Sequence, residues 1–141
     1  MRPAIHLALL CVVTLAVACG SNPPTSPSPP LTGPWNGTWQ YVSGGATVTD
    51  TVNATISDNG TELTGTWTSA SGATGTLRFA PGPAIKGTFS IAQPWFTGGV
   101  CAGNTTLEGT ASASAVEFTL AQIPPSGVCI WGSNQKFSLH K

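Results

Sequence analysis

Apolar and polar residues alternate along most of the chain from residue 32 onward. Eight short segments place an apolar or small residue at every second position, and Gly, Pro, Thr and Ser interrupt any helical repeat. Strict alternation is typical of a β-strand with one buried face, so the pattern predicts an all-β domain. The predicted inward residues are Trp35, Gly37, Trp39, Tyr41, Val48, Val52, Ala54, Ile56, Leu63, Gly65, Trp67, Gly75, Leu77, Phe79, Ile85, Gly87, Phe89, Ile91, Leu107, Gly109, Ala111, Val116, Phe118, Leu120, Trp131, Phe137 and Leu139.

Short connections between the segments favour an antiparallel meander. Eight such strands with one continuous apolar face can close into an up-and-down barrel, which leaves no free sheet edge. A two-sheet β-sandwich is the alternative, because alternation alone does not show whether the sheet closes into a barrel. A membrane-spanning barrel is disfavoured, because it needs strands of about 9 to 11 residues and the predicted strands are shorter.

In a meander the connections alternate between the two ends of the barrel. One end receives the tight turns SDNGT (57–61), APGPA (80–84) and ASASA (111–115). The other end, a predicted mouth, receives SGGA (43–46), SASG (69–72), AQPWFTGGVCAGN (92–104) and QIPPSGVC (122–129). The longer loops are therefore expected to share one end.

The predicted mouth also contains Cys101 and Cys129. In an exported protein, two cysteines that the topology brings together are expected to form a disulfide. They have no His or acidic companions, so no metal site is predicted. The aromatic and polar side chains of the barrel predict either a ligand pocket at its mouth or a plug that fills it. The candidate residues are Trp35, Trp39, Trp67, Ser69, Trp95, Phe96 and Trp131.

Glycine occupies the centre of several similar segments. They are WNGTW (35–39), LTGTW (63–67), ATGTL (73–77), IKGTF (85–89) and LEGTA (107–111). Glycine within a strand lowers stability and often marks a bend or a close approach. We expect these glycines to make room for aromatic side chains across a narrow interior.

The N-terminal segment predicts export and a tether. Residues 1–18 read as a signal peptide, with one Arg, an apolar run and a small residue at its end. Residues 19–31 form a linker rich in Pro and Ser, which favours an extended conformation. Residues 32–141 form the predicted barrel domain.

LAVAC (15–19) resembles the lipobox of bacterial lipoproteins, in which the final Cys is lipidated and becomes the mature N-terminus. This resemblance implies that Cys19 carries a lipid and anchors the protein in the cell envelope. Gly20 follows Cys19 in place of Asp, which in that family is compatible with the outer membrane of Gram-negative cells.

Composition narrows the choice of function. Lys and Arg together number 5, as do Asp and Glu, so the chain lacks the basic surface that nucleic acids require. After signal removal His140, beside the C-terminus, is the only His. The sequence therefore predicts a protein that is not an enzyme and has no cofactor.

DNGTELTGTWTSASG (58–72) resembles the avidin and streptavidin family, whose fold is an eight-stranded barrel, and LTGPW (31–35) is similar to that family's first strand. By this resemblance Ser69 matches a Ser that binds the biotin ureido group. Trp67 replaces the family's ureido-binding Tyr, and Ala73 replaces its loop Asn, so no biotin site is predicted. GTW (37–39) is also similar to a short signature of lipocalins.

Two classes of function follow. One is a binding module that takes a small, mostly apolar ligand at the barrel mouth. The other is a barrel with a filled interior that binds an envelope or extracellular protein, as inhibitors of proteases or lysozyme do. Either would be a membrane-anchored, extracytoplasmic lipoprotein.

We expect Cys19→Ala to abolish incorporation of labelled fatty acid in the native host, because the acceptor thiol is lost. The measurement is autoradiography of the immunoprecipitated chain. Cys11→Ala, within the predicted signal peptide, is the control and should still be labelled. Undiminished labelling of Cys19→Ala would refute the anchor.

Overall fold

The computed structural model describes residues 30–94, 98–127 and 129–141, and in this part of the chain eight antiparallel strands form one closed barrel in chain order. The strands are β1 (Gly33–Ser43), β2 (Ala46–Asp58), β3 (Leu63–Ser69), β4 (Thr74–Phe79), β5 (Ala84–Pro94), β6 (Val100–Ala111), β7 (Ala115–Leu120) and β8 (Ser133–His140). Pairing of β1 with β8 closes the sheet. The predicted barrel is confirmed, and the sandwich alternative is wrong.

Several predictions lie outside the described residues. These are the signal peptide (1–18), Cys19 and the linker up to residue 29, and the candidate residues Trp95 and Phe96. The described residues contain no helix long and apolar enough to cross a membrane.

The predicted phase of the strands is confirmed, since most of the large apolar residues assigned to the inward faces are buried, and Tyr41, Val48 and Leu120 are half-buried. Strand lengths differ from the prediction. β1, β2, β5 and β6 have 11 to 13 residues, so the expectation of uniformly short strands is wrong. The predicted loop 92–104 is largely a paired hairpin, with Pro94 opposite Val100. Trp131 precedes β8 and does not belong to it.

The two ends of the barrel differ as the alternation of connections predicts. We call the end with the β2–β3, β4–β5 and β6–β7 connections the turn end, and the opposite end the disulfide end. Both ends of the described chain meet at the turn end, where the Lys141 ammonium donates to the Pro30 carbonyl at 2.6 Å. The Trp35 indole N–H donates to the Leu31 carbonyl at 2.8 Å, and Lys141 Nζ lies 5.1 Å from the centre of the Trp35 ring.

The β2–β3 connection shows why the turns at the turn end are tight. The Asp58 carboxylate accepts the N–H of Gly60 at 2.7 Å, and the Asn59 side-chain oxygen accepts the N–H groups of Thr61 and Glu62. Gly60 has a φ of 91°, a conformation that favours glycine. Short polar side chains thus satisfy the backbone where the ladder stops.

The glycines within strands allow the backbone of a neighbouring strand to approach closely, more than they make room for aromatic rings across the barrel. A Cβ added at Gly37, Gly75, Gly87 or Gly109 would overlap a backbone carbonyl of the adjacent strand, and one at Gly65 would lie 2.9 Å from the Thr55 carbonyl oxygen. The expected reason for these glycines is therefore largely wrong. Only Gly75 also meets an aromatic atom, Nε1 of Trp67, at 2.6 Å.

These close approaches occur at alternate seams of the barrel, namely β8–β1, β2–β3, β4–β5 and β6–β7. Glycine lets two strands approach and coil where a side chain would push them apart. A narrow barrel needs such coiling to close.

Aromatic rings fill the barrel interior. Phe137 on β8 lies 5.8, 5.2, 4.9 and 5.0 Å, centre to centre, from the rings of Trp39, Trp67, Phe89 and Phe118. Those four rings come from β1, β3, β5 and β7, so one ring contacts every odd-numbered strand. All five side chains are 2 % exposed or less.

We expect Gly87→Ala to lower the free energy of unfolding by at least about 2 kcal/mol, because its methyl group would overlap the Arg78 carbonyl. Gly99→Ala is the matched control, since a Cβ there has no neighbour within 4 Å. Urea denaturation followed by Trp fluorescence measures both variants. Equal stability of the two would contradict the seam interpretation.

Candidate functional site

Cys101 and Cys129 form a disulfide, with their Cα atoms 5.5 Å apart and 28 positions apart in sequence. Cys101 lies on β6, and Cys129 lies in the connection between β7 and β8. The predicted pairing is confirmed. The bond joins the β5–β6 hairpin to the β7–β8 connection at the disulfide end.

The β5–β6 hairpin extends beyond both neighbouring strands at this end. β5 and β6 stay paired as far as Pro94 and Val100, whereas the last residue of β6 that pairs with β7 is Leu107. The β7–β8 connection (121–132) packs against this projection. A Cβ added at Gly103 would lie 2.5 Å from Ile123 and 3.3 Å from the Trp131 ring. Gly103 thus allows the connection to approach β6 closely.

Two large apolar side chains are exposed beside the disulfide. Val100, next to Cys101, is 67 % exposed, and Ile130, next to Cys129, is 79 % exposed. They are the exposed large apolar residues of the described chain. Because β-strand neighbours point to opposite sides, the inward turn of Cys101 directs Val100 outward.

Trp131 follows Ile130 and is 7 % exposed. Its indole N–H is buried and has no hydrogen-bond acceptor among the described residues. A buried N–H without an acceptor costs about 1 to 3 kcal/mol, so such groups are uncommon and often mark a site that receives another group.

The described members of the predicted site, which exclude Trp95 and Phe96, lie in different parts of the barrel. Trp35 lies at the turn end, far along β1 from the disulfide end. Trp39 donates to the side-chain oxygen of the buried Gln135 at 3.1 Å, and Trp67 donates to the Ser90 carbonyl at 3.2 Å. Both rings belong to the aromatic interior, and Ser69 and Trp131 lie at the disulfide end.

The described chain has concavities at one end of the barrel and on its outer wall. One, of about 490 Å³, lies at the turn end where the chain enters, and Pro30, Leu31, Leu63, Pro81 and Pro83 contribute to its lining. The other lies on the outer wall of β2, β3 and β4 among Thr side chains. Five aromatic rings pack against one another in the barrel interior.

Asp50 organises the polar part of the disulfide end. Its carboxylate accepts the backbone N–H of Ser71 at 3.1 Å, and the Ser69 hydroxyl in turn accepts the N–H of Ala73. Burial alone raises the pKa of Asp50, but hydrogen bonds from Ser71 and Ser69 outweigh it and hold the pKa below its usual value. Burial and the charge of Asp50 raise the pKa of Tyr41. Asp50 thus fixes the β3–β4 connection to β2.

The disulfide end is otherwise uncharged. Ion pairs lie on the outer wall, where Arg78 contacts Glu62, Lys86 contacts Glu108 and Lys136 contacts Glu117. Lys141 and Asp58 are at the turn end, so the charged side chains nearest the disulfide end among the described residues are Asp50, opposite Trp39, and Lys136, opposite Gln40. Exposed apolar groups therefore sit in a nearly neutral surface.

Sequence reasoning missed Gln135, Val100 and Ile130. Gln135 shares the inward alternation of Phe137 and Leu139, so the signal for its burial was present. The exposure of Val100 and Ile130 had a weaker signal, namely their position next to two cysteines that turn inward. In residues 30–94, 98–127 and 129–141, no cluster of three or more His, Cys, Asp and Glu side chains could hold a metal ion.

Comparison with protein-family models, curated protein sequences and solved structures gives no significant match. The resemblances to bacterial lipoproteins, avidins and lipocalins therefore stay predictions, and the site has to be interpreted from its own geometry.

We expect the double variant Cys101→Ser/Cys129→Ser to lose about 3 to 4 kcal/mol of unfolding free energy, because the disulfide closes a long loop of the unfolded chain. Thermal unfolding with and without reductant measures this loss. Reductant should lower the Tm of the wild type and leave that of the variant unchanged. Labelling of both thiols in unreduced, folded wild type would contradict the bond.

Proposed function

We propose that the protein is a lipid-anchored, extracytoplasmic barrel of non-catalytic type that binds an envelope or extracellular protein at its disulfide end. The observation that carries the proposal is the pair of exposed side chains, Val100 and Ile130, on either side of a disulfide that holds them in place. Exposed apolar groups in a rigid, nearly uncharged surface are typical of protein-binding sites.

Orientation supports this function. The chain enters the barrel at the turn end, close to Leu31 and Trp35. A lipid on Cys19 would thus tether the turn end to the membrane, and the disulfide end would face away from it. A linker of about ten extended residues would hold the barrel roughly 30 Å from the lipid.

Preorganisation supports it as well. The disulfide and the packing of Ile123 and Trp131 against Gly103 hold the projecting hairpin in one position. A rigid surface loses little conformational entropy on binding, which favours affinity. Inhibitors of proteases or lysozyme are one class of protein with this requirement.

A small, mostly apolar ligand at the barrel mouth is the second candidate. Its support is the buried Trp131 N–H, which has no acceptor among the described residues and could donate to a ligand oxygen. The aromatic rings that pack the interior restrict such a ligand to the surface of the barrel, which makes this candidate the weaker one.

Photo-cross-linking in the native host tests the proposal. We expect Ile130→p-benzoylphenylalanine to give one discrete protein adduct on irradiation, identified by mass spectrometry. The same substitution at Thr110, on the outer wall, is the control and should give none. Equal adducts at both positions, or none at Ile130, would refute protein binding at this end. A small molecule retained in native mass spectrometry and absent from Trp131→Phe would favour the second candidate.

A further inference from the structure

The β5–β6 hairpin carries a sheet edge that the rest of the barrel does not cover. β6 begins at Val100, but its pairing with β7 ends at Leu107. One residue after β7, the Ala121 N–H donates to the Thr106 carbonyl of β6 at 3.0 Å. Beyond Ala121 the chain leaves β6, and no backbone hydrogen bond joins the described part of the β7–β8 connection to residues 100–105.

Alternation along β6 identifies the groups at this edge. The Thr106 carbonyl points toward β7, as does that of Glu108, which accepts the Thr119 hydroxyl at 3.4 Å. Pairing with β5 continues without a register shift to Val100. In a regular strand the N–H and C=O of one residue point to the same side, and successive residues alternate between the two sides. Ala102 and Asn104 therefore present their backbone groups at the open edge.

This edge lacks the features that normally prevent strand addition. Natural proteins protect free edges with Pro, with charged side chains or by covering them. On the opposite side of the hairpin β5 ends at Pro94, which has no N–H to donate. On the open side, Val100, Ala102 and Asn104 are exposed, uncharged and free of proline. The hairpin is thus protected on one edge and open on the other.

We infer that the open edge from Val100 to Asn104 binds an extended segment of the partner protein as an added β-strand. This inference rests on the proposed function and specifies how the partner is recognised. Backbone hydrogen bonds with Ala102 and Asn104 supply affinity, and Val100 contacts apolar side chains of the segment. The free edge is only about five residues long, which suits one short strand and provides less contact than a stable dimer of this chain needs.

The test uses the isotopically labelled full chain in detergent micelles and a synthetic peptide. The peptide alternates Val and Thr over about seven residues, is capped at both ends and carries a terminal Lys for solubility. In the free protein, the amides of Ala102 and Asn104 should exchange with solvent about 100-fold faster than that of Gly103, which faces β5. The peptide should slow exchange at Ala102 and Asn104 and shift their resonances.

A pair of variants at one position isolates the backbone contribution. Ala102→Pro removes the N–H that faces the open edge and no hydrogen bond to β5, so the fold should be retained. The peptide should no longer protect Asn104 in this variant. Ala102→Ser keeps the N–H and should behave as the wild type. Intact disulfide and unchanged resonances of Trp39 verify folding, and Asn104→Pro is the second variant if Ala102→Pro misfolds.

Three results would overturn strand addition. They are protection of Ala102 and Asn104 already in the dilute free protein, absence of any peptide effect at these amides, and equal peptide binding by Ala102→Pro. A fourth result, protection that appears with rising protein concentration and no peptide, would identify a second copy as the occupant and overturn the inference that a partner protein binds here. A peptide with Pro at alternate positions should have no effect. If Ile130 still cross-links to a partner in these cases, the proposed function stands and only strand addition fails.

Discussion

The barrel depends on the packing of one ring, that of Phe137, against the aromatic side chains of four other strands. Trp39, Trp67, Phe89 and Phe118 all lie within 5.8 Å of it, centre to centre. Because β8 closes the barrel onto β1, the residue that completes the sheet also completes the core. Closure and hydrophobic burial are therefore one event, and a partly open barrel would expose the largest apolar surfaces of the protein.

The strand glycines show how far the sequence predicts such a fold. Alternation gave the phase of every strand, because a buried face repeats every second residue whatever the partner strand is. The role of Gly87 or Gly109 could not be derived in this way, because alternation does not reveal how closely two strands approach. The sequence pattern singles these glycines out, but it does not show which neighbour each of them approaches. Their true neighbours, backbone carbonyls, have no signature in the sequence.

At the disulfide end, too, the sequence predicts some features and not others. The sequence alone predicts that Cys101 and Cys129 lie together, because the end at which each connection of a meander lies depends only on strand order. The extension of β5 and β6 was hidden, because Gly103 and Pro94 resemble loop residues when they are viewed one at a time. The exposure of Val100 and Ile130 depends on this projection, so the sequence does not predict it. The exposed surface at the disulfide end therefore depends on the length of β5 and β6. An alternating pattern that glycine interrupts does not predict that length.

The contact between residues 30 and 141 beside Trp35 has a consequence for how this domain is attached to other segments. Lys141 contacts Pro30 directly, so the barrel starts and stops at one pole. A domain of this kind can be placed after a linker, in front of another domain or within a loop of a larger protein without moving its opposite pole. The first strand of the barrel does not begin at that opposite pole and the last strand does not end there, so its connections can change in length and sequence independently of how the domain is attached.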